Sequence, residues 1–269
     1  MTLPRLALVG AGNMGEALLK GLLDHGVTTP QQVAAAEKVP SRAADVARRY
    51  GISVVASVRD ACRGAGLVLL AVKPQDVDPA LAELSDWEPT ALLISICAGV
   101  TLERLARGLP AGAAVVRVMP NAPALAGCAA SVYCANEHVT PAQRDVVATL
   151  LSAVGEAHAV EKESLLDAVT GLSGSGPAYA YVFLEALADA GVLMGLPREL
   201  SRALARQTLL GAACMARDAG AHTAELKDRV ASPGGTTIAG LRELELRGFR
   251  GAVIEAVRAA ALRSKELGG

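Results

Sequence analysis

Six small and polar residues in a row, Ser232 to Thr237 with the sequence SPGGTT, are the strongest chemical signal in this chain. Gly234 and Gly235 allow the backbone to approach a ligand closely. Thr236 or Thr237 can cap the helix that the apolar spacing predicts after them. Because the free N–H groups and the dipole of a helix N-terminus attract anions, the stretch predicts a cradle for a small carboxylate.

A glycine-rich motif of the form G-x-G-x-x-G lies at the other end of the chain. It follows a strand predicted at 6–9 and opens a predicted helix, as in a dinucleotide-binding βαβ unit. Its first glycine allows the tight turn, its second lets the pyrophosphate approach, and its third lets helix and strand pack closely. We therefore predict cofactor contacts at Gly10, Ala11, Gly12, Asn13, Met14 and Gly15.

Three charged residues at and after the second predicted strand bear on the choice of cofactor. Glu37 would accept hydrogen bonds from ribose hydroxyls and repel a 2′-phosphate, which favours NAD. Lys38 and Arg42 would hold that phosphate, which favours NADP. The balance slightly favours NADP(H) over NAD(H).

Two further segments follow predicted strands, and such strand ends face the ligand crevice. Lys73 could contact the phosphate, the ribose or the nicotinamide side, and the small residues after the next strand leave room for the nicotinamide ring. Cys97 is expected to pack rather than to act as a nucleophile, because no histidine lies near it in sequence. The predicted cofactor contacts here are Ala71, Val72, Lys73, Pro74, Cys97, Ala98 and Gly99.

Strands alternate with helices up to about residue 160, and only helices are predicted beyond it. This pattern indicates an α/β fold: an N-terminal Rossmann-type, doubly wound, mainly parallel sheet followed by an all-helical C-terminal domain. We expect a dinucleotide-binding domain at 1–160 and a helical substrate-binding and dimerisation domain at 161–269. Strands are predicted at 6–9, 33–36, 53–56, 67–72, 92–96, 114–119, 131–134 and 157–160.

Composition excludes several classes of protein. A net charge of −1 without a basic run argues against nucleic-acid binding. Five scattered cysteines without a CxxC pair predict neither a disulfide framework nor a metal site. No apolar run could span a bilayer, so we expect a soluble, cytoplasmic protein. The helical half is apolar nearly all round and therefore predicts a core shared between subunits.

Taken in order, the motifs resemble those of pyrroline-5-carboxylate reductases over nearly the whole chain. The resemblance is carried by GAGNMG (10–15), AVKPQ (71–75), SICAG (95–99), RVMPNAPA (117–124), TGLSGSGPAY (170–179), GLPRE (195–199), SPGGTT (232–237) and AVRAAALRSKEL (256–267). It implies hydride transfer from NAD(P)H to the C=N carbon of 1-pyrroline-5-carboxylate, giving L-proline in the last step of proline biosynthesis. It also implies a homodimer through the C-terminal helices, active sites shared between subunits, and rings of dimers.

The resemblance further implies roles for single residues. Thr237 would hydrogen-bond the ring nitrogen and is the catalytic candidate. Glu163 falls where the family has an acidic residue near the substrate, and Ser175 lines the helical side. Ser232 and the backbone at Gly234, Gly235 and Thr236 would hold the substrate carboxylate.

Several alternatives stay open at the level of the sequence. The substrate could be another cyclic imino acid, or the chain could be a non-catalytic NADP(H)-sensing module. Thr237 and Ser175 could be simple helix caps, and Glu163 could be an ordinary first-turn acid. A β-hydroxyacid dehydrogenase is disfavoured, because the G-x-x-x-N-x-x-K pattern is missing from the sequence.

Overall fold

The computed structural model describes residues 3–84 and 88–268. Within them, contacts define two compact units. The first runs to Gly174 and takes in the residues from Ala260 onward, and the second is Ser175–Ala259. The domain boundary predicted after residue 160 stays a prediction, because this division follows contacts rather than sequence pattern.

A sheet of eight described strands forms the first unit. Their order is β3-β2-β1-β4-β5-β6-β7-β8, and every neighbouring pair is parallel except β6 and β7. The predicted Rossmann-type, mainly parallel sheet is thereby confirmed. The strands are β1 (Leu6–Val9), β2 (Val33–Ala36), β3 (Ser53–Val55), β4 (Leu67–Leu70), β5 (Leu92–Ser95), β6 (Ala114–Met119), β7 (Ala129–Ala135) and β8 (Gly155–Ala159).

Both faces of this sheet are buried. In β1, Leu6 and Leu8 join one hydrophobic cluster, whereas Ala7 and Val9 join another. Alternate side chains of a strand point to opposite faces, so a strand covered on both sides is apolar throughout. Helices supply the cover: α1 (Asn13–Asp24), α2 (Pro40–Tyr50), α3 (Val58–Cys62), α4 (Val77–Ala82), α5 (Leu102–Arg107), α6 (Pro141–Ser152) and α7 (Leu165–Val169).

Helices alone make up the described second unit, as predicted. They are α8 (Gly176–Leu193), α9 (Arg198–Asp218), α10 (Thr223–Arg229), α11 (Thr236–Leu246) and the first part of α12 (Phe249–Gly268). In α8 the buried residue is Ala188, while Val182 and Leu193 stay exposed in the single chain. The apolar surface that the sequence assigns to a shared core is therefore uncovered here.

Two features are missing from the described ranges 3–84 and 88–268. No helix in them has the length and apolar character needed to cross a bilayer. No group of three or more His, Cys, Asp or Glu side chains in them could hold a metal ion.

Candidate active site

The three glycines of the GAGNMG motif occupy three different environments. Gly10 has a φ of +92°, and a Cβ there would lie 2.8 Å from the Ala71 carbonyl oxygen. A Cβ on Gly15 would lie 2.5 Å from the Gly10 carbonyl oxygen. Gly12 has no atom within 4 Å of its Cβ position and is the N-cap of α1, without a side-chain cap. The open space and uncapped amides at Gly12 fit a pyrophosphate.

Glu16 places a negative charge in the first turn of α1, close to this anion site. Its carboxylate accepts a hydrogen bond from the Tyr50 hydroxyl at 2.7 Å and is paired with Arg49. Partial burial raises the pKa of Glu16, but the hydrogen bonds from Arg49 and Tyr50 outweigh it and the pKa is lowered. Since Arg49 neutralises the carboxylate, Glu16 opposes phosphate binding less than an isolated acid would.

Glu37 is buried at the end of β2, and both of its oxygens are already engaged. One accepts a hydrogen bond from the Ala11 amide at 3.1 Å and the other from the Val39 amide at 2.9 Å. The Arg42 guanidinium lies 3.9 Å from the carboxylate and is half exposed, and Lys38 is exposed. Glu37 therefore braces the glycine motif, while the two cations face outward.

Two neighbouring strand ends, after β4 and β5, are joined by Cys97. Its Sγ donates a hydrogen bond to the Val72 carbonyl at 3.2 Å. Burial raises the pKa of the Cys97 thiol, which keeps it protonated at neutral pH. Cys97 thus packs, while Lys73 and Ala98 are exposed beside it.

The predicted cofactor residues come together at one edge of the sheet. Gly10 contacts Ala71, Glu37 contacts Ala11, and Cys97 contacts Val72, so the loops after β1, β2, β4 and β5 adjoin one another. This edge is the carboxyl end of the parallel strands, where doubly wound sheets bind their ligands.

Glu163 lies in the first unit and has two partners there. The same oxygen accepts a hydrogen bond from the Arg117 guanidinium at 2.7 Å and from the Leu102 amide at 2.8 Å. It therefore ties β6 to the start of α5, a role that the sequence analysis did not assign to it. Arg117 was missed, although a charged residue inside an otherwise buried strand needs a partner.

Asn121 is a second organising residue that the sequence analysis missed. It is buried, accepts a hydrogen bond from the Ala130 amide at 3.0 Å and donates one to the Ser173 carbonyl at 3.1 Å. These bonds fix the turn after β6 against the SGSGP segment. A lone asparagine beside proline carries only a turn signal in the sequence, because its partners are far along the chain.

The SPGGTT loop lies in the second unit and is largely exposed. Gly234 has a φ of +66°, and the Gly235 amide donates a hydrogen bond to the Ser232 carbonyl at 3.0 Å. The prediction that Thr236 or Thr237 caps the helix is wrong, because the N-cap of α11 is Gly235, in an extended conformation and without a side-chain cap. Both threonines lie inside the first turn, so the cradle amides keep no side-chain partner.

Ser175 occupies the N-cap position of α8, but its side chain makes no capping hydrogen bond. It belongs to the second unit, as does the SPGGTT loop, whereas Glu163 belongs to the first. Its hydroxyl is therefore not committed to the simple capping role that the sequence left open.

Comparison with known protein families first indicates the class of enzyme to which the nucleotide-binding part is similar. Residues 5–99 match the family described as NADP oxidoreductase, coenzyme F420-dependent. This part of the chain is therefore similar to NADP oxidoreductases, in agreement with the strand-end loops described above.

The rest of the chain narrows the class to one family. Residues 163–267 match the family described as pyrroline-5-carboxylate reductase dimerisation. A pyrroline-5-carboxylate reductase of Synechocystis is 45% identical, over 98% of this chain and 98% of that one. The chain belongs to the pyrroline-5-carboxylate reductase family, and its dimerisation domain indicates a homo-oligomer.

Solved structures agree with this assignment. A pyrroline-5-carboxylate reductase of Coxiella burnetii superposes with a TM-score of 0.94, at 32% identity and 99% coverage of both chains. A pyrroline carboxylate reductase of Plasmodium falciparum, solved with NADP bound, gives a TM-score of 0.86 at 33% identity, with full coverage of both chains.

Proposed function

We propose that this chain reduces the C=N bond of 1-pyrroline-5-carboxylate with NAD(P)H and gives L-proline, the last step of proline biosynthesis. The observation that carries the proposal is the SPGGTT loop, whose uncapped helix amides lie next to the Thr237 hydroxyl. An oxidoreductase of this family with a carboxylate cradle and a neutral hydroxyl, which can accept a hydrogen bond from a protonated ring nitrogen, suits an imino acid. Similarity to pyrroline-5-carboxylate reductases over 98% of the chain supports the same substrate.

The reaction requires little from the protein beyond placing the substrate correctly against the cofactor. The ring nitrogen is protonated before the reaction, so the imine carbon already accepts a hydride and no strong base is needed. When bound, NAD(P)H supplies that hydride from C4 of the nicotinamide, and the product is the secondary amine. Ser232 and the amides of Gly234 and Thr236 hold the carboxylate, whereas the Gly235 amide is bonded to the Ser232 carbonyl within the loop. The Thr237 hydroxyl accepts a hydrogen bond from the protonated ring nitrogen. Such placement alone lowers a barrier by about 7–11 kcal/mol.

Thr237 offers the first test. Thr237→Ala removes the hydrogen bond to the ring nitrogen, so we expect turnover with pyrroline-5-carboxylate to fall by about tenfold or more. Thr237→Ser keeps the hydroxyl and should retain most of the activity. The measurement is steady-state loss of NADPH absorbance, and NADPH binding should be equal in all three proteins.

Other outcomes of the same assay would contradict the proposal. Oxidation of NADPH with a different cyclic imine, but not with pyrroline-5-carboxylate, would indicate a reductase of another imino acid. Tight NADPH binding without turnover of any imine would indicate a sensing module.

For the cofactor we propose a preference for NADPH over NADH. Since two backbone amides hold Glu37, its charge is partly compensated, and the half-exposed Arg42, 3.9 Å from that carboxylate, can reach a 2′-phosphate. Arg42→Ala should therefore raise the KM for NADPH about tenfold and leave the KM for NADH nearly unchanged. An equal change in both constants, or a native preference for NADH, would contradict this.

For the assembly we propose a homodimer through the C-terminal helices, with dimers joined into rings. In the dimer, the SPGGTT loop of one copy would serve the nucleotide edge of the other. The exposed apolar residues of α8 to α12 support the dimer, and the resemblance supports the ring. A cytoplasmic location stays a prediction from composition.

A further inference from the structure

The loop between β5 and α5, residues 96–101, is held firmly on its inner side. The Ile96 amide donates a hydrogen bond to the Leu70 carbonyl at 3.0 Å, and the Cys97 thiol donates one to the Val72 carbonyl at 3.2 Å. Beyond Cys97 the chain turns through Gly99, whose φ is +71°. This turn is the part of the loop that we assign to the nicotinamide, and the Val100 amide closes it by donating a hydrogen bond to the Cys97 carbonyl at 3.4 Å.

The outer side of the same turn meets the last turn of α12. A Cβ placed on Gly99 would lie 3.5 Å from the Leu267 carbonyl oxygen and 3.8 Å from the Gly268 Cα. The two backbone segments are thus adjacent, with room for about one methyl group between them. Residues from Ala260 onward group with the first unit, although the family match assigns residues up to 267 to the dimerisation domain.

One side-chain hydrogen bond sets where this last turn lies. Ser264 donates from Oγ to Oδ1 of Asp167 at 2.8 Å, and both side chains are partly buried. Asp167 is in α7, four residues after Glu163, which accepts a hydrogen bond from the Leu102 amide at the far end of the loop. The short α7 region therefore supports the loop twice, once through Glu163 and once through α12.

We propose that Ser264 and Asp167 are positioning residues for hydride transfer. Their hydrogen bond holds the last turn of α12 next to Gly99, where it limits outward movement of the 96–101 loop and keeps the loop in the shape that the nicotinamide requires. The inference rests on the proposed function. It follows from the sensitivity of hydride transfer to placement, since a displacement of about 1 Å can cost about a hundredfold in rate.

The test compares Ser264→Ala and Asp167→Ala with two conservative variants. Ser264→Thr keeps the hydroxyl, and Asp167→Asn keeps an acceptor oxygen. We expect each alanine variant to lower kcat with pyrroline-5-carboxylate about tenfold, with its KM changed less than about twofold, and to raise the Kd for NADPH about threefold. The conservative variants should recover most of the loss.

A matched control lies in the same turn. Arg263→Gln removes an exposed ion pair with Glu266 and should leave kcat and Kd as in the unmodified protein. Thermal midpoints and sedimentation are measured for all variants, so that loss of folding or assembly is seen directly. The proposal is overturned if the alanine variants match Arg263→Gln, or if they fail only by unfolding or dissociating.

The unmodified protein separates this proposal from the proposed function. If none of the imines tested causes it to oxidise NADPH, the assigned reaction is wrong. The Kd for NADPH still shows whether Ser264 and Asp167 shape the nucleotide site. If it is active and the alanine variants keep full kcat and Kd, only the positioning role is wrong.

Discussion

At the scale of single residues, Gly12 and Gly15 are glycines for different reasons. A side chain at Gly12 would meet no protein atom within 4 Å, so the fold itself does not require glycine there. A side chain at Gly15 would meet the backbone of Gly10, so the fold does require it. The first position has open space, which we propose a ligand fills, and the second is glycine because of packing.

This difference predicts opposite behaviour in two alanine variants. Gly12→Ala should melt like the unmodified protein but bind NADPH at least about tenfold more weakly, because the methyl group fills the approach of the pyrophosphate. Gly15→Ala should lose about 1–3 kcal/mol of unfolding free energy, because overpacking strains a close backbone contact. Thermal unfolding and NADPH titration measure both. Unchanged NADPH affinity in Gly12→Ala would show that the pyrophosphate does not lie close to Gly12.

The roles of site residues could be predicted where they depend on neighbouring residues in the sequence. They could be predicted less well where they depend on residues far along the chain. The glycine motif and Glu37 follow from their position beside a strand. The capping role of the threonines was wrong, because glycine is itself an acceptable N-cap and the extended backbone at Gly235 starts α11 earlier. Partners distant in sequence, such as Arg117 and Glu163 at a separation of 46 positions, cannot be recognised from a single sequence.

At the scale of elements, long apolar runs predicted the fold well. β1 and β2 have the predicted bounds, because a strand buried on both faces is a continuous apolar segment. The five-residue helix α3 was missed, since it is too short to show helical periodicity. Its start carries a local signal, the Ser57 hydroxyl accepting a hydrogen bond from the Asp60 amide at 3.2 Å.

The tie between β6 and α5 gives a prediction at this scale. Arg117→Met removes the cation that Glu163 faces, and we expect a loss of about 1–3 kcal/mol in unfolding free energy. The Arg117 side chain is 11% exposed and that of Glu163 is 27% exposed, so water screens the pair only in part. Urea unfolding measures the loss.

A surface pair serves as the control for that experiment. Arg63→Met breaks a well-exposed pair with Asp60 and should change the stability by less than about 0.5 kcal/mol. If the two methionine variants unfold alike, the Arg117–Glu163 pair adds no more than an ordinary surface contact.

At the scale of the whole molecule, the distribution of apolar surface is uneven. Exposed large apolar side chains are concentrated in the helices from Gly176 onward, where they include Tyr181, Val182, Leu210, Ile254 and Leu262. An apolar surface of this kind marks an interface between chains. It lies within the segment that matches the dimerisation family.

Placing a charge on that surface should separate the subunits. Val182→Glu puts a carboxylate on α8, where Val182 is 67% exposed in the single chain, and we expect the sedimenting species to shift toward monomer with loss of turnover. Leu125→Glu is the matched control, since Leu125 is 61% exposed but lies in the first unit. If the oligomer is unchanged in Val182→Glu, this face of α8 does not take part in the interface between subunits.

The position of the last turn of α12 next to Gly99 also has a consequence for the order in which parts of the chain can fold during synthesis. Ser264 is made 97 residues after Asp167, so the strands of the sheet leave the ribosome well before the helix turn that supports the loop after β5. N-terminal parts of a chain generally fold first. If Ser264 and Asp167 have the positioning role proposed above, a nascent chain can form its nucleotide-binding edge before the residues that support hydride transfer have been made.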